Sequence, residues 1–118
     1  MHPEKELALE HRVTSAAEAA LAHHHYVSAI DVLTGVGLLT PTHVQDWRKG
    51  RIDFLERVIH ANLKKVSLCM AALRRWAQAK GLKPSETGYV RRDRGGTVNL
   101  QFSKSGDPNI ERSYRTHF

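Results

Sequence analysis

The sequence predicts a mainly α protein: a small helical bundle around one long helix over 52–80, with a C-terminal β-hairpin over 87–103 and a short last helix. Three observations carry this prediction. Ile52, Leu55, Ile59, Leu63, Val66, Met70, Leu73 and Trp76 recur at steps of three and four, the spacing that returns side chains to one face of a helix. That span contains neither Gly nor Pro, and Gly81 with Pro84 closes it in the way helix C-termini are closed. Beyond it the period changes. Val98, Leu100 and Phe102 alternate with Thr97, Asn99 and Gln101, the two-residue repeat of a half-buried strand.

The remaining elements follow in order. A first helix is expected over 4–25, where Leu7, Val13, Ala17 and Leu21 make a thin apolar stripe within an Ala-rich run of high helix propensity. So little apolar area makes it a flank of the domain, not its centre. A short second helix over 28–34 has Ser28 as cap and Asp31 in its first turn, where the helix dipole favours an acid; Gly35 and Gly37 are expected to end it. Thr40-Pro41 starts a third helix, hydroxyl as cap and proline where no amide proton is needed. Val44 and Trp47 point inward from it, and it stops near Gly50. In the hairpin, Gly95-Gly96 supplies the positive φ of a tight turn. Asp107-Pro108 opens the last helix, which carries Ile110 and Tyr114.

Size and composition bound the function. A chain of 118 residues, 41% hydrophobic and 25% charged, is expected to be one domain with one modest core. No apolar run is long enough to span a bilayer, and the first ten residues lack the basic start and apolar stretch of a signal peptide, so a cytoplasmic protein without membrane contact is expected. Cys69 is the only cysteine, so no intrachain disulfide can form and a buried structural thiol is expected. The net charge of +6 is one-sided. Residues 1–73 hold eight Lys/Arg against eight Asp/Glu, whereas residues 74–118 hold ten against four. A local excess of this kind points to an anionic partner.

Two segments are candidates for that contact. Over 28–51 a short capped helix, a Gly-containing turn and a second capped helix end in Trp47-Arg48-Lys49-Gly50-Arg51. This segment resembles helix-turn-helix DNA-binding domains, which implies that Trp47 anchors the helix while Arg48, Lys49 and Arg51 meet phosphates. Two core-packing helices with a structural tryptophan are the alternative. In the hairpin, Arg91, Arg92 and Arg94 gather beside Tyr89; such a hairpin can follow a backbone or stack on bases, or can simply be a charged edge strand. Arg74, Arg75, Lys80 and Lys83 could extend this patch. Arg91 and Arg92, being consecutive, face opposite ways.

These observations favour a non-enzymatic protein that binds DNA or RNA, DNA first. The alternative is a homodimer or interaction module for an acidic protein partner, in which Phe54 and Leu68, off the main stripe, would mediate contact. A small nuclease or toxin using His117 or His60 with Arg112 is a third reading. No cofactor signature is present: there is no P-loop, dinucleotide fingerprint or nucleophile elbow. His23-His24-His25 splay around a helix instead of sharing a face, so no metal is expected there. A Gly turn at 103–107 could offer amides to an anion, although Asp107 as a helix cap would oppose one. The ending, from Phe102 through Tyr114-Arg115-Thr116-His117, is similar to the tails of small uncharacterised bacterial proteins, a likeness that implies no activity.

Overall fold

The computed structural model describes residues 3–118. In chain order it contains α1 (Pro3–His24), α2 (Ala29–Val36), α3 (Pro41–Arg48), a 3-10 turn (Leu55–Val58), α4 (Leu63–Lys80), β1 (Ser85–Glu86), β2 (Val90–Asp93), β3 (Gly96–Asn99), α5 (Pro108–Arg115) and β4 (Thr116–His117). The protein is mainly helical, with a long helix, a C-terminal hairpin and a short last helix. Among the described residues, no helix is long and apolar enough to cross a membrane.

The core lies where α1, α2 and α4 meet. Leu9, Val13, Ala17 and Ala20 of α1 face Val32 and Leu33 of α2 and Cys69, Leu73 and Ala77 of α4. Small residues permit the close approach. A β-carbon on Gly35 would stand 2.6 Å from Ala16 Cβ, so the glycine is needed for packing. Gly35 therefore lies inside α2 instead of ending it; Gly37, at φ 91° and with its N–H returned to Leu33 and Thr34, makes the stop. The start of α2 follows expectation, with Ser28 and Asp31 forming a reciprocal capping box.

The long helix begins later than the periodicity predicts. Asn62 caps it, accepting from Lys65 N–H at 2.9 Å. Residues 52–62 belong to other structure because their amides have tertiary partners: Leu55 N–H donates to Gln101 O, Glu56 N–H to Phe102 O, and His60 N–H to Leu38 O. Leu55 and Ile59 are nonetheless buried. A 3-10 turn followed by extended chain also returns them inward at steps of three and four, which is why the stripe looked continuous.

Beyond α4 the chain makes two small sheets. β2 and β3 pair antiparallel with Arg91 opposite Val98 and Asp93 opposite Gly96, leaving Arg94 and Gly95 as the turn. Only Gly96 of the glycine pair adopts positive φ, 120°. β4 pairs with β1, and Val27 and Phe118 exchange two backbone hydrogen bonds of 2.8 and 2.9 Å. The last residues of the chain are thus fastened to the α1–α2 connection.

Candidate nucleic-acid interface

Trp47 sets the position of α3. Its side chain is fully buried, its ring packs on Phe102 and Tyr89 with centroids 4.8 and 5.9 Å away, and its Nε1–H donates to Gln101 O at 2.7 Å. With that face committed inward, Arg48 and Lys49 are exposed at the helix end, and Arg51 follows after the turn. Gly50 makes this turn at φ 79°, a left-handed conformation that strains residues with a β-carbon.

The hairpin stands directly over this turn. Tyr89, buried, and Leu100, its neighbour across the pair, anchor its base. Strand alternation then carries Arg91 to the same face as Tyr89, and its side chain lies against Gly50: a β-carbon there would be 2.7 Å from Arg91 Nε and 2.8 Å from Cδ. The two basic segments nominated separately by the sequence are one surface. Arg48, Lys49, Arg51 and Arg91 border Gly50, with Arg94 at the hairpin turn, while Arg92 points from the opposite face of the strand.

Charge balance on this surface is incomplete. Arg51 pairs with Asp46 at 3.2 Å and Arg91 with Asp93 at 3.5 Å. Among the described residues, Arg48, Lys49, Arg92 and Arg94 have no carboxylate in ion-pair contact. Arg48 instead covers the Tyr89 ring, its Cζ 5.2 Å from the ring centroid, an attraction between a cation and the negative ring face. The α4 cations that could extend this patch have partners of their own on α1 and α5. Arg75 pairs with Glu10 and Lys80 with Glu18, both on α1, and Arg74 donates to Ser113 on α5.

Beneath Arg48 lies a polar network that only the tertiary fold assembles. Tyr89 Oη and His117 Nε2 are 2.7 Å apart, and His117 Nδ1 is 3.2 Å from Thr87 Oγ1. Burial pushes the Tyr89 phenol above its ordinary pKa, with a hydrogen bond to Ser28 acting the other way. Burial pushes the His117 imidazole below its ordinary value, against the pull of Asp31. Both ring nitrogens of His117 are engaged, which leaves neither aimed at solvent as a base. Tyr26 stacks on His24 (4.1 Å, 15°) and on His117 (5.0 Å, 5°), and His24 Nε2 meets Asp31 Oδ2 at 3.0 Å. His117 and Tyr89 are 28 residues apart, and no local pattern announces such a pairing.

The other nominated groups have structural occupations. Glu111, buried, accepts from Phe102 N–H, Ser103 N–H and Ser103 Oγ–H at 2.9, 2.7 and 2.6 Å. Within the 103–107 turn that might have held an external anion, Ser103 N–H donates to Glu111, Lys104 N–H to Glu56, and Gly106 and Asp107 N–H to Ser103 and Ser105 Oγ. Asp107 caps α5 through Asn109 and Ile110 N–H. His43 and His60, isolated in sequence, bring their ring centroids within 5.7 Å, and Arg112 pairs with Glu86 at 2.8 Å. Cys69 is fully buried and its thiol pKa is raised by that burial. What the Gly50 surface can do chemically is hold anions and stack planar rings. No protein-family model, curated protein sequence or solved structure matches the chain.

Proposed function

We propose that this chain binds nucleic acid through its phosphate backbone, without catalysing a reaction on it, using Arg48, Lys49, Arg51, Arg91, Arg92 and Arg94. One observation supports this reading above the rest: the seating of Arg91 on Gly50 joins the end of α3 and the hairpin into a single basic surface. Among the described residues, the five cations at Gly50 and the hairpin turn have Asp46 and Asp93 as their ion-pair carboxylates, and Arg92 adds charge from the opposite face of the strand, so the region retains a local excess that attracts a polyanion. The resemblance of residues 28–51 to helix-turn-helix domains would add a positioning role for Trp47. It lends less to base reading, because Asp46 is tied to Arg51 and α3 is only eight residues long.

The test is binding of the purified protein to random duplex DNA and to single-stranded RNA across a salt series. On duplex DNA the log–log slope should be roughly 0.9 per phosphate neutralised, and replacing Arg48, Arg91 and Arg94 together by Ala should flatten it. Absence of binding at low salt would refute the reading.

A second reading is favoured by a different surface. Leu63 and Ile110 are 62% and 43% exposed and line a groove with Met70, Tyr114 and Arg74 between α4 and α5, a place for a second copy of the chain. Phe54 and Leu68, nominated from sequence for this purpose, are not free: Phe54 is half-buried under the Arg57 guanidinium at 4.8 Å, and Leu68 packs against the core. Sedimentation of the protein with and without Leu63→Asp tests self-association through this groove.

A further inference from the structure

We propose that the chain holds a small phosphate-bearing ligand, inorganic phosphate or a phosphomonoester, in a hollow between α1 and α4 lined by Lys5, Ala8, Leu9, Arg12 and Lys65. The hollow shares no residue with the Gly50 surface, so this inference stands apart from the nucleic-acid reading.

The hollow follows from how the two helices present their side chains. Lys5 precedes Ala8 and Leu9 by three and four residues, and these precede Arg12 by four and three, so all four lie on one stripe of α1. Leu9 is buried and Ala8 is short, which leaves an apolar floor between two cations. Lys65, in the first turn of α4, supplies a third cation from across the helix pair. That first turn contains Lys64 and Lys65 and no acid, at the end where the helix dipole is itself positive. An anion held between the helices relieves this repulsion.

The three charges have no carboxylate of their own. Among the described residues, none lines the hollow and none forms an ion pair with Lys5, Arg12 or Lys65. Two acids of α1 are committed to other cations of α4, Glu10 to Arg75 and Glu18 to Lys80. Arg12 is nevertheless held in place. Its Nη2–H donates to Val36 O, at the C-terminal end of α2, and this neutral acceptor leaves the guanidinium its full charge and further N–H donors. Burial raises the Cys69 thiol pKa, and Lys65 and Arg12 both pull it the other way. Cations from the two helices thus converge on one side of the core.

Size and charge name the ligand class. At about 230 Å³ the hollow is smaller than the roughly 300 Å³ at which drug-sized ligand sites begin. A cleft lined by one sign of charge over an apolar wall focuses its field on what enters. Three cations there exceed the needs of a carboxylate and match a phosphate group, which carries nearly two charges at neutral pH and accepts Arg and Lys donors on several oxygens.

The experiment titrates the full chain with sodium phosphate and, separately, with glycerol 3-phosphate, against sodium chloride at matched ionic strength, following backbone amides by two-dimensional NMR. Saturable shifts centred on residues 5–12 and 63–66 are expected with at least one phosphate probe and not with chloride. Lys5→Gln and Lys65→Gln should each raise the dissociation constant by about tenfold, the loss expected for one charge-assisted contact. Lys49→Gln, at the Gly50 surface, should leave it within about twofold, as expected of a separate site. Neither Lys5 nor Lys65 has an ion pair to lose among the described residues, and unchanged thermal midpoints would verify folding. Tighter binding of glycerol 3-phosphate would assign the ligand as a phosphomonoester; tighter or equal binding of phosphate would assign the free anion. Shifts that fail to saturate, that chloride reproduces, or that both lysine variants retain with wild-type affinity overturn the site.

Discussion

Arg91 lies across Gly50, so close that a β-carbon on the glycine would stand 2.7 Å from Nε. The contact joins residues 41 positions apart and closes the hairpin onto the end of α3 at the one place where the backbone offers no side chain. Gly50→Ala should therefore act twice. The left-handed φ of 79° makes it less stable by about 1 kcal/mol, and displacement of Arg91 should lower the salt slope of DNA binding by about one phosphate. Chemical denaturation and a salt titration measure the two effects. A variant with wild-type stability and slope would show that Arg91 does not sit there.

Trp47 joins α3 to the chain that follows the hairpin, through its ring on Phe102 and through the 2.7 Å bond to Gln101 O. Trp47→Phe should lose the hydrogen bond and part of the contact, for a cost of about 2 kcal/mol. Trp47→Ala should cost about 4 kcal/mol. Urea unfolding curves with unchanged m-values would isolate the stability change; a loss below 0.5 kcal/mol, roughly the level of ordinary surface substitutions, would contradict the anchoring role.

Glu111 holds the start of the 102–103 segment by three hydrogen bonds. Glu111→Ala should leave Phe102 N–H, Ser103 N–H and Ser103 Oγ–H without their acceptor, at a cost of about 3 kcal/mol. Glu111→Gln keeps one oxygen acceptor and should fall between that variant and wild type. Amide hydrogen exchange at Phe102 and Ser103 provides the local readout, with protection falling most in the Ala variant.

His117 gives the fold a pH dependence whose sign is set by burial. Its folded pKa lies below the ordinary 6.5, so on acidification the unfolded chain takes up a proton before the folded one does. Its contribution is present in full above about pH 6.5 and is lost as the pH falls towards the lowered folded value. The thermal midpoint should drop between about pH 7.5 and 5.5. His117→Asn should flatten this part of the profile, and a wild-type profile already flat there would exclude the effect.

Much of the fold was legible because local chemistry decided it. Ser28 with Asp31, Thr40 with Pro41, and Asp107 with Pro108 mark helix starts, and Gly37 and Gly81 mark stops at positive φ; each works within a few residues of itself. The start of α4 was less visible. The apolar spacing from Ile52 onward suits a helix and also suits the 3-10 turn that forms, and amide partners from residues 38, 101 and 102 settle the choice. Gly35 shows the same limit, since a glycine reads as a stop until Ala16 is known to press on it.

By itself, the sequence determined the helix order, the hairpin, the inward turn of Trp47 and the location of the cationic excess, because capping, periodicity and charge are properties of short stretches. Only the tertiary structure decided which cations share a surface and what lies beneath them. Arg48 and Arg91, Tyr89 and His117, and Glu111 and Ser103 meet through chain packing. Such meetings depend on how whole elements bury their apolar faces against one another, and no local pattern encodes that.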